Sequence, residues 1–382
     1  MPPVRVVMLV YEPGFSGQSR HVLSLAGGID RSRYDVTVVY PMHLTRLGQR
    51  LASLQVKTMP LPLRKWWNPD GAFHLWQLLR VQRPHLLHVH GQFAGLWGRV
   101  VGRLAGVPHV VYTPHTVELR THWLEPIYLT FERLLARWTN QVIAVCEQQR
   151  QTLIRLRIAA PDRTTTVYNG VRLPLDDRDE RHTNRNALRQ SLGLPLDARV
   201  VLSVGRLDAQ KDPLTLLRAA RQVVEAVPSA VFLLAGEGPL QADVLAEQER
   251  LGLQERFRLL GWRDDVPALL AASDLFCLSS RWEGMPYALL EALAAGVPIV
   301  ATDVGGCREA IGQEGQAAGR LVPPADPDAL AAAMIALLQD DTALDRLRRR
   351  GPARIAAYFT LERMLKDTQT VYESCLVREE MV

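Results

Sequence analysis

The feature that most constrains the fold is a strand–helix pattern that runs through the chain twice. Short apolar segments without polar alternation recur between helical segments, which is typical of parallel strands covered by helices on both faces. The first half predicts five strands, at residues 4–11, 36–40, 86–90, 110–113 and 142–146. The second half predicts five more, at residues 200–204, 231–235, 257–260, 275–279 and 298–301. The pattern indicates two doubly wound α/β domains rather than one larger sheet.

The domain boundaries follow from the segment between the two halves. Residues 174–186 are rich in charge and lack apolar periodicity, so we predict a linker there. We therefore expect an N-terminal Rossmann-like domain over residues 1–173 and a C-terminal Rossmann-like domain over residues 174–358. An amphipathic helix is predicted at Leu361–Val377, and we expect residues 359–382 to pack back on the first domain. A chain of 382 residues is long enough for two hydrophobic cores.

Composition indicates a soluble protein of the cytoplasm. No apolar run approaches the roughly 18 residues of a membrane span. The apolar patch at residues 6–11 has no small-residue cleavage site behind it, so we interpret it as a first strand rather than a signal peptide. The cysteines are scattered without a CxxC pair, which fits reduced thiols: Cys146, Cys277, Cys307 and Cys375.

The charge of the chain is divided unevenly. Residues 1–173 carry 21 Lys and Arg against 9 Asp and Glu, whereas the remainder carries 24 against 31. A basic first half suits a phosphorylated acceptor or the anionic inner face of a membrane. Because no aromatic-interleaved RNA-binding motif accompanies it, we expect no nucleic-acid partner. Peripheral membrane contact through Arg64-Lys65-Trp66-Trp67 and Arg120-Thr121-His122-Trp123 is one hypothesis, and a solvated surface with these tryptophans in a pocket or core is the other.

In open parallel sheets, ligands bind beyond the carboxyl ends of the strands. The loop after the strand at residues 200–204 carries Arg206 and Lys211, and Asp212 and Pro213 have the residue types of a helix cap and first helical position. Lys211 is one of only four lysines against 41 arginines. A lysine at this point suggests contact with a phosphate, with a solvated loop as the alternative.

A second loop precedes a helix that we expect to begin at Pro286 and end at Gly296. Backbone N–H groups near Gly284 and Met285, together with the positive end of the helix, form a predicted anion site. Glu291 lies among Ala and Leu in that helix and needs a partner, which a ribose diol or an internal salt bridge would supply. Glu283 precedes the helix, where it could bind sugar hydroxyls.

Loops of the first half supply a third group of candidates. Residues 13–21, which include Gly17, follow the first strand and could cradle a phosphate, although they do not spell GxGxxG. We interpret His88 and His90 as lying on alternate faces of a strand, which argues against a metal site. His115 follows the next strand and is the better functional candidate, with a structural histidine as the alternative.

Two acidic pairs are candidate ligands for Mg²⁺ on a diphosphate. Asp177-Arg178-Asp179 falls in the predicted linker, and Asp326-Pro327-Asp328 has the pattern of a helix cap. Neither pair follows a strand, so we expect no metal. Arg206, Lys211 and a helix N-terminus would then stabilise the charge of a leaving diphosphate.

At these residues the chain resembles the family 4 retaining glycosyltransferases of GT-B architecture, over nearly its whole length. The resemblance rests on Glu283 and Glu291 within Glu-Gly-Met-Pro and Leu-Leu-Glu-Ala-Leu-Ala-Ala-Gly-Val-Pro, and on Gly205-Arg206-Leu207 with Lys211. Supporting matches are Tyr168-Asn169-Gly170-Val171, Ala235-Gly236-Glu237-Gly238-Pro239 and Gly305-Gly306. The implied architecture is two facing Rossmann-like domains.

The resemblance also implies roles for individual residues. Arg206 and Lys211 would bind the donor diphosphate together with Gly284, Met285 and Gly17, although Ser16 stands where the family often has a glycine. Glu291 would hold the ribose. Trp262 and Arg263 would meet the base. His115 and Glu283 would act at the donor sugar.

The function implied is transfer of a hexose-type sugar from a nucleoside-diphosphate sugar, UDP or GDP, to a glycan, polyprenyl-linked or lipid acceptor. The resemblance further implies retention of anomeric configuration, with no cofactor and no metal. A GT-B epimerase or phosphorylase and a non-catalytic nucleotide-sugar-binding subunit are the alternatives. An NAD-dependent oxidoreductase is disfavoured because no GxGxxG with a downstream acid follows the first strand.

Overall fold

The computed structural model describes residues 2–64, 69–116, 125–174, 178–313 and 315–377. The chain divides into two compact units. The N-terminal unit comprises Met1–Asn169 with Leu361–Val382, and the C-terminal unit comprises Gly170–Thr360. The boundaries expected from the sequence were after residues 173 and 358. Within the described ranges, no helix combines the length and apolar character that crossing a lipid bilayer requires.

The N-terminal unit contains a parallel sheet with the strand order β3-β2-β1-β4-β5-β6-β7 in its described part. The strands are β1 (Val4–Val10), β2 (Tyr34–Pro41), β3 (Lys57–Leu61), β4 (Leu86–His90), β5 (His109–Thr113), β6 (Gln141–Ala144) and β7 (Thr164–Thr166). The helices are α1 (Gly17–Gly28), α2 (Thr45–Ser53), α3 (Pro69–Gln82), α4 (Gln92–Ala105), α5 (Glu125–Leu135), α6 (Glu147–Arg155) and, from the end of the chain, α15 (Leu361–Val377).

Both faces of this sheet are covered, which explains why its strands lack polar alternation. Along β1, Val6 and Met8 pack with α1, α2 and α15 on one face. Val7 and Leu9 pack with α3, α4, α5 and α6 on the other. Successive side chains of a strand point to opposite faces, so a strand buried on both faces has apolar residues at every position.

Helix α15 follows the C-terminal unit in the chain but packs on the N-terminal unit. Its bounds are those predicted from the amphipathic pattern. Its inner face includes Leu361, Met364, Val371 and Tyr372, which belong to the same apolar cluster as Val6 and Met8 of β1. The expected packing of the C-terminal segment on the first domain is therefore confirmed.

The C-terminal unit contains a second parallel sheet, with the order β10-β9-β8-β11-β12-β13 among the residues that the structure describes. The strands are β8 (Arg199–Val204), β9 (Ala230–Ala235), β10 (Phe257–Gly261), β11 (Leu275–Leu278), β12 (Ile299–Thr302) and β13 (Gly319–Val322). The helices are α7 (Arg178–Ser191), α8 (Pro213–Ala226), α9 (Gln241–Arg250), α10 (Val266–Ala272), α11 (Tyr287–Ala294), α12 (Cys307–Ile311), α13 (Pro327–Leu338) and α14 (Asp341–Tyr358). The predicted pair of doubly wound α/β domains is confirmed.

Three strands were missed, and all three lie at sheet edges. They are β3, β7 and β13. An edge strand has one neighbour and buries less apolar surface, so its sequence carries a weaker signal. Strand β3 contains Pro60 and is largely exposed, and β7 consists of three threonines.

The predicted linker is wrong from Arg178 onward, because helix α7 occupies most of it. Charge pairing anchors this helix rather than an apolar stripe. Arg185 and Arg189 bind the two carboxylate oxygens of Asp274 at 2.6 and 2.7 Å, and Arg189 also donates to the backbone oxygens of Ala272 and Ala198. A search for apolar periodicity does not detect a helix held in this way.

Candidate functional site

The loops after β8 and β11 are joined at the carboxyl edge of the C-terminal sheet. Asp212 caps α8 by accepting from the N–H of Thr215 at 3.3 Å, and Pro213 takes the first helical position, both as predicted. The same carboxylate accepts from Nε of Arg281 at 2.7 Å. Ser279 Oγ donates to the carbonyl oxygen of Lys211 at 2.8 Å. Asp212 therefore connects the two loops through its side chain.

Lys211 and Glu283, predicted separately from the two loops, are in direct contact. Lys211 Nζ lies 2.5 Å from Glu283 Oε1, and Ser280 Oγ donates to the same oxygen at 2.6 Å. The side chain of Glu283 is 6% exposed and that of Lys211 is 23% exposed. The cation expected to bind phosphate therefore neutralises the carboxylate expected to bind sugar.

Arg206 lies in the same loop as Lys211 and is a third exposed, at 34% of its side chain. Its guanidinium binds Asp208, with Nε 2.9 Å from Oδ2. Asp208 also accepts from the backbone N–H of Lys211 at 3.1 Å. Asp208 thus orients both cations of the loop, a positioning contact that the sequence reading had not identified.

Close backbone approach at two glycines brings neighbouring loops together. Gly236 has φ +150°, and a Cβ there would lie 1.9 Å from the carbonyl oxygen of Gly205. Gly305 has φ +51°, and a Cβ would lie 2.0 Å from the carbonyl oxygen of Glu283. Neither position accommodates a side chain without displacement of backbone. These glycines explain the supporting motifs Ala235–Pro239 and Gly305-Gly306 as packing requirements of the candidate site.

Helix α11 spans Tyr287–Ala294, so it begins one residue later and ends two residues earlier than predicted. Pro286 takes the N-cap position in an extended conformation, and Gly284 and Met285 are buried directly before it. Glu291 is half-buried within the helix. The helix therefore directs its N-terminal N–H groups toward the loop that holds Glu283.

Trp262 and Arg263 follow β10 and make their own contacts. The backbone N–H of Trp262 donates to Glu237 Oε1 at 3.3 Å. Arg263 pairs with Asp265 at 2.5 Å, and its hydrogen bonds lower the pKa of Asp265. These hydrogen bonds link the two residues to Glu237 and Asp265.

In the N-terminal unit, Gly17 opens helix α1. Ser16 caps this helix, accepting from the N–H of Gln18 at 3.3 Å, and its own hydroxyl donates to Glu12. Ser19 also donates to Glu12, whose burial raises the pKa of its carboxyl to about 7. Ser16 has an extended backbone, with φ −143°. A glycine is therefore not required at this position, which accounts for the departure from the family pattern.

The prediction that His88 and His90 lie on alternate faces is wrong. Residues two apart on a strand point to the same face, and the two ring centroids are 3.9 Å apart. His88 is held by Tyr372 Oη at 2.7 Å and Thr113 Oγ1 at 2.8 Å. His90 Nδ1 lies 3.3 Å from Nε2 of His115.

His115 belongs to a cluster of three histidines that was not predicted from the sequence. Among the described residues, one nitrogen from each of His21, His90 and His115 lies within 4.8 Å of the other two. Burial lowers the pKa of His21 to about 4 and the pKa values of His90 and His115 well below the ordinary value, which favours the neutral form of each ring. His115 also has φ +62°, a conformation that non-glycine residues adopt at a cost and that clusters at functional sites.

Comparison with known families identifies both halves of the chain. The family described as Glycosyl transferases group 1 matches residues 184–354, and the one described as Glycosyltransferase Family 4 matches residues 15–174. A UDP-Gal:alpha-D-GlcNAc-diphosphoundecaprenol alpha-1,3-galactosyltransferase of Escherichia coli is 30% identical over 312 residues, or 80% of this chain and 79% of that protein. A D-inositol 3-phosphate glycosyltransferase 1 of Catenulispora acidiphila is 31% identical over 310 residues, or 76% and 72%.

Among solved structures, HepE of Anabaena in complex with UDP and glucose superimposes with a TM-score of 0.81. The match covers 97% of this chain and all of that one, at 21% identity. At this identity the likeness establishes a shared fold.

Proposed function

The chain belongs to glycosyltransferase family 4 and has the GT-B fold, and we propose that it moves a hexose from a UDP-sugar to a lipid-linked or glycan acceptor. We propose further that transfer retains the anomeric configuration and needs no divalent metal. The observation that carries this proposal is the contact of Lys211 with Glu283 beyond the carboxyl ends of β8 and β11. This contact brings together the cation that we propose to bind phosphate and the carboxylate that we propose to bind sugar.

The donor would replace the ion pair that the two side chains now make. The diphosphate would take Lys211 and Arg206, while Glu283 would accept hydrogen bonds from hydroxyls of the sugar. The N–H groups at the start of α11, beside Gly284 and Met285, would complete the anion site. Glu291 would hold the ribose, and the backbone at Trp262 and Arg263 would meet the base.

One relative and one solved structure support UDP as the donor nucleotide. The E. coli relative is described as using UDP-Gal, and HepE binds UDP and glucose. The relatives differ in sugar and acceptor, so we propose a UDP-hexose without naming the hexose.

The cations at the candidate site support the proposal of metal-independent transfer. Two positive side chains and a helix N-terminus can stabilise the charge that develops on a leaving diphosphate. In the retaining reaction, the acceptor hydroxyl attacks the anomeric carbon on the face from which UDP departs. The bond from that carbon to the phosphate oxygen breaks, and the acceptor proton passes to the leaving phosphate. His115 would contact the sugar as positive charge develops on it.

A membrane-borne acceptor is supported by the surface of the N-terminal unit. Helices α3 and α5 cover the same sheet face and expose large apolar side chains: Phe73, Trp76, Ile127, Phe131 and Leu134. Arg80, Arg133 and Arg137 are exposed among them. Apolar groups interspersed with cations suit an anionic lipid surface. The anchors proposed from sequence lie, apart from Arg64, outside the described residues.

A thermal-shift panel tests the donor assignment. We expect a UDP-sugar to raise the melting temperature equally with Mg²⁺ and with EDTA, and GDP-, ADP- and dTDP-sugars to raise it less. Lys211→Ala should reduce the shift, while Lys366→Ala, which replaces an exposed lysine on α15, should retain it in full. No shift with any nucleotide sugar would contradict the donor site and favour a non-catalytic role.

Product analysis tests the reaction. With a polyprenyl-diphosphate sugar as acceptor, the coupling constant of the new anomeric proton should report the configuration of the donor. Inversion would refute the retaining mechanism, and loss of transfer in EDTA would refute metal independence. Activity only with orthophosphate, or without acceptor, would instead favour a phosphorylase or an epimerase.

A further inference from the structure

We propose that His21, His90 and His115 form a binding site for a zinc ion inside the N-terminal unit. The three residues come from separate segments: His21 from α1, His90 from the end of β4, and His115 from the loop after β5. One nitrogen of each ring lies within 4.8 Å of the other two. Imidazole nitrogen is a preferred ligand of zinc, and three histidines with a fourth open position are a known form of zinc coordination.

The rings are already held in place, so binding would require little ordering. Their exposures are 1% for His21, 0% for His90 and 7% for His115. The ring of His21 packs edge-on against that of His115, with centroids 4.8 Å apart. The side-chain entropy that a flexible surface histidine loses on binding a metal has therefore largely been lost on folding.

The hydrogen bond of His21 sets its tautomer. Nδ1 lies 2.9 Å from the amide oxygen Oδ1 of Asn169. An amide oxygen only accepts hydrogen bonds, so Nδ1 must carry the hydrogen and Nε2 must carry the lone pair. Metal-ligating histidines are commonly oriented in this way, with one ring nitrogen donating to a neighbour while the other binds the ion.

His90 supplies a second observation that points to a ligand. Its Nε2 is fully buried and makes no hydrogen bond in the described structure. An unsatisfied buried polar atom destabilises the folded state, so the interior retains this nitrogen at an energetic cost. Coordination through Nε2 would satisfy this nitrogen directly, whereas coordination through Nδ1, which faces His115, would leave it without a partner.

The spacing of the cluster fits tetrahedral zinc after a small adjustment. Zinc–nitrogen bonds of about 2.0–2.1 Å place two tetrahedral ligands roughly 3.3 to 3.4 Å apart. His90 Nδ1 and His115 Nε2 are already 3.3 Å apart. Ring movements on the order of 1 Å would bring the third nitrogen into range, which is within the flexibility of a metal site that forms on binding.

The neighbouring His88 is not part of the site. Both of its nitrogens are engaged, one by Tyr372 and the other by Thr113. Its role is to fix the strand behind His90, whose ring centroid is 3.9 Å away. Oxygen-preferring cations such as Mg²⁺ should not bind three imidazoles, so the site is selective for zinc-like ions.

Occupancy would withdraw His115 from the donor sugar, so zinc should inhibit transfer. This consequence rests on the proposed function, whereas zinc binding itself does not. Zinc binding in the N-terminal unit and the thermal shift with UDP-sugars are measured separately, so either result can fail alone.

Titration of the chelator-treated full chain with Zn²⁺ by calorimetry, and with Co²⁺ by visible absorption, tests the site. We expect one ion per chain and the absorption bands of tetrahedral Co²⁺, and no binding of Mg²⁺. His90→Gln and His115→Gln should each weaken binding by on the order of 100-fold or more, and Asn169→Ala by about 10- to 100-fold. His74→Gln, which removes an exposed histidine of α3, should change nothing.

Two results would overturn the proposal. One is the absence of stoichiometric Zn²⁺ and Co²⁺ binding to the wild-type chain, which does not depend on any variant folding. The other is binding that survives in folded His90→Gln and His115→Gln proteins, because the ions would then occupy other sites. Circular dichroism of each variant establishes that it is folded.

Discussion

Replacing Lys211 should weaken binding of UDP, and the size of the effect can be estimated from its present contacts. Lys211→Met keeps the aliphatic chain and removes the ammonium group. Loss of one charge-assisted hydrogen bond to a phosphate costs about 1.5–3 kcal/mol, or roughly 10- to 150-fold in affinity. In the free protein the ammonium is paired with Glu283 at 2.5 Å, so the diphosphate replaces an existing partner. We therefore expect the lower part of that range.

A variant of Glu283 provides a control that distinguishes loss of the Lys211–diphosphate contact from repulsion of the diphosphate by the Glu283 carboxylate. In Lys211→Met its carboxylate, 6% exposed, would remain unpaired beside the diphosphate and would repel it. Glu283→Gln removes this charge. It should bind UDP at least as tightly as the wild type while transferring sugar more slowly. The double variant should bind UDP more tightly than Lys211→Met alone.

Calorimetry without metal measures these affinities, with Lys366→Met as the matched control. Melting temperatures of the ligand-free variants show whether each is folded. Affinity of Lys211→Met within about threefold of the wild type would refute the assignment of Lys211 to the diphosphate. Wild-type affinity for UDP in the double variant would show that repulsion by Glu283 accounts for the whole loss in Lys211→Met. That result would also contradict a direct contact of Lys211 with the diphosphate.

Three further predictions concern the N-terminal unit. Glu132→Ala should lower the free energy of unfolding, measured in urea, by about 3–5 kcal/mol, because Arg99, with 0% exposure, would lose its carboxylate partner at 2.7 Å. A decrease below about 1 kcal/mol would contradict a stabilising role of this buried ion pair. Burial raises the pKa of Glu12 to about 7 from 4.5, so the native state holds this proton more tightly than the unfolded chain does. The wild type should therefore lose stability relative to Glu12→Gln as the pH rises from 5 to 8, by up to about 3 kcal/mol, and parallel pH profiles would refute the shift. Vesicles with anionic lipid should bind the protein in a salt-sensitive way. The double variant Trp76→Ser/Phe131→Ser should float less with these vesicles, whereas Leu196→Ser, at an exposed position of the C-terminal unit, should float like the wild type. Equal flotation of the wild type and both variants would exclude the α3–α5 surface as the membrane contact.

Much of the architecture could be read from the sequence because buried parallel strands carry a continuous apolar signal. All ten predicted strands exist, with ends shifted by at most two residues. Helix α15 and the caps at Asp212 and Asp326 follow from amphipathic spacing and from local hydrogen bonding of a carboxylate to the first turn. These are short-range properties, so neighbouring residues determine them.

The features that were missed depend on partners distant in the chain. Helix α7 is anchored by Asp274, about 90 residues away, and strands β3, β7 and β13 form because a neighbouring strand offers an edge. The candidate donor residues could be named from their loops, but only the folded chain pairs Lys211 with Glu283. The histidine cluster is a stronger case, since His21 and Asn169 are 148 positions apart and no local pattern relates them. Local chemistry in the sequence determined which elements form and which residues could bind, whereas tertiary packing decided which of those residues meet, because contact between distant segments is a property of the fold.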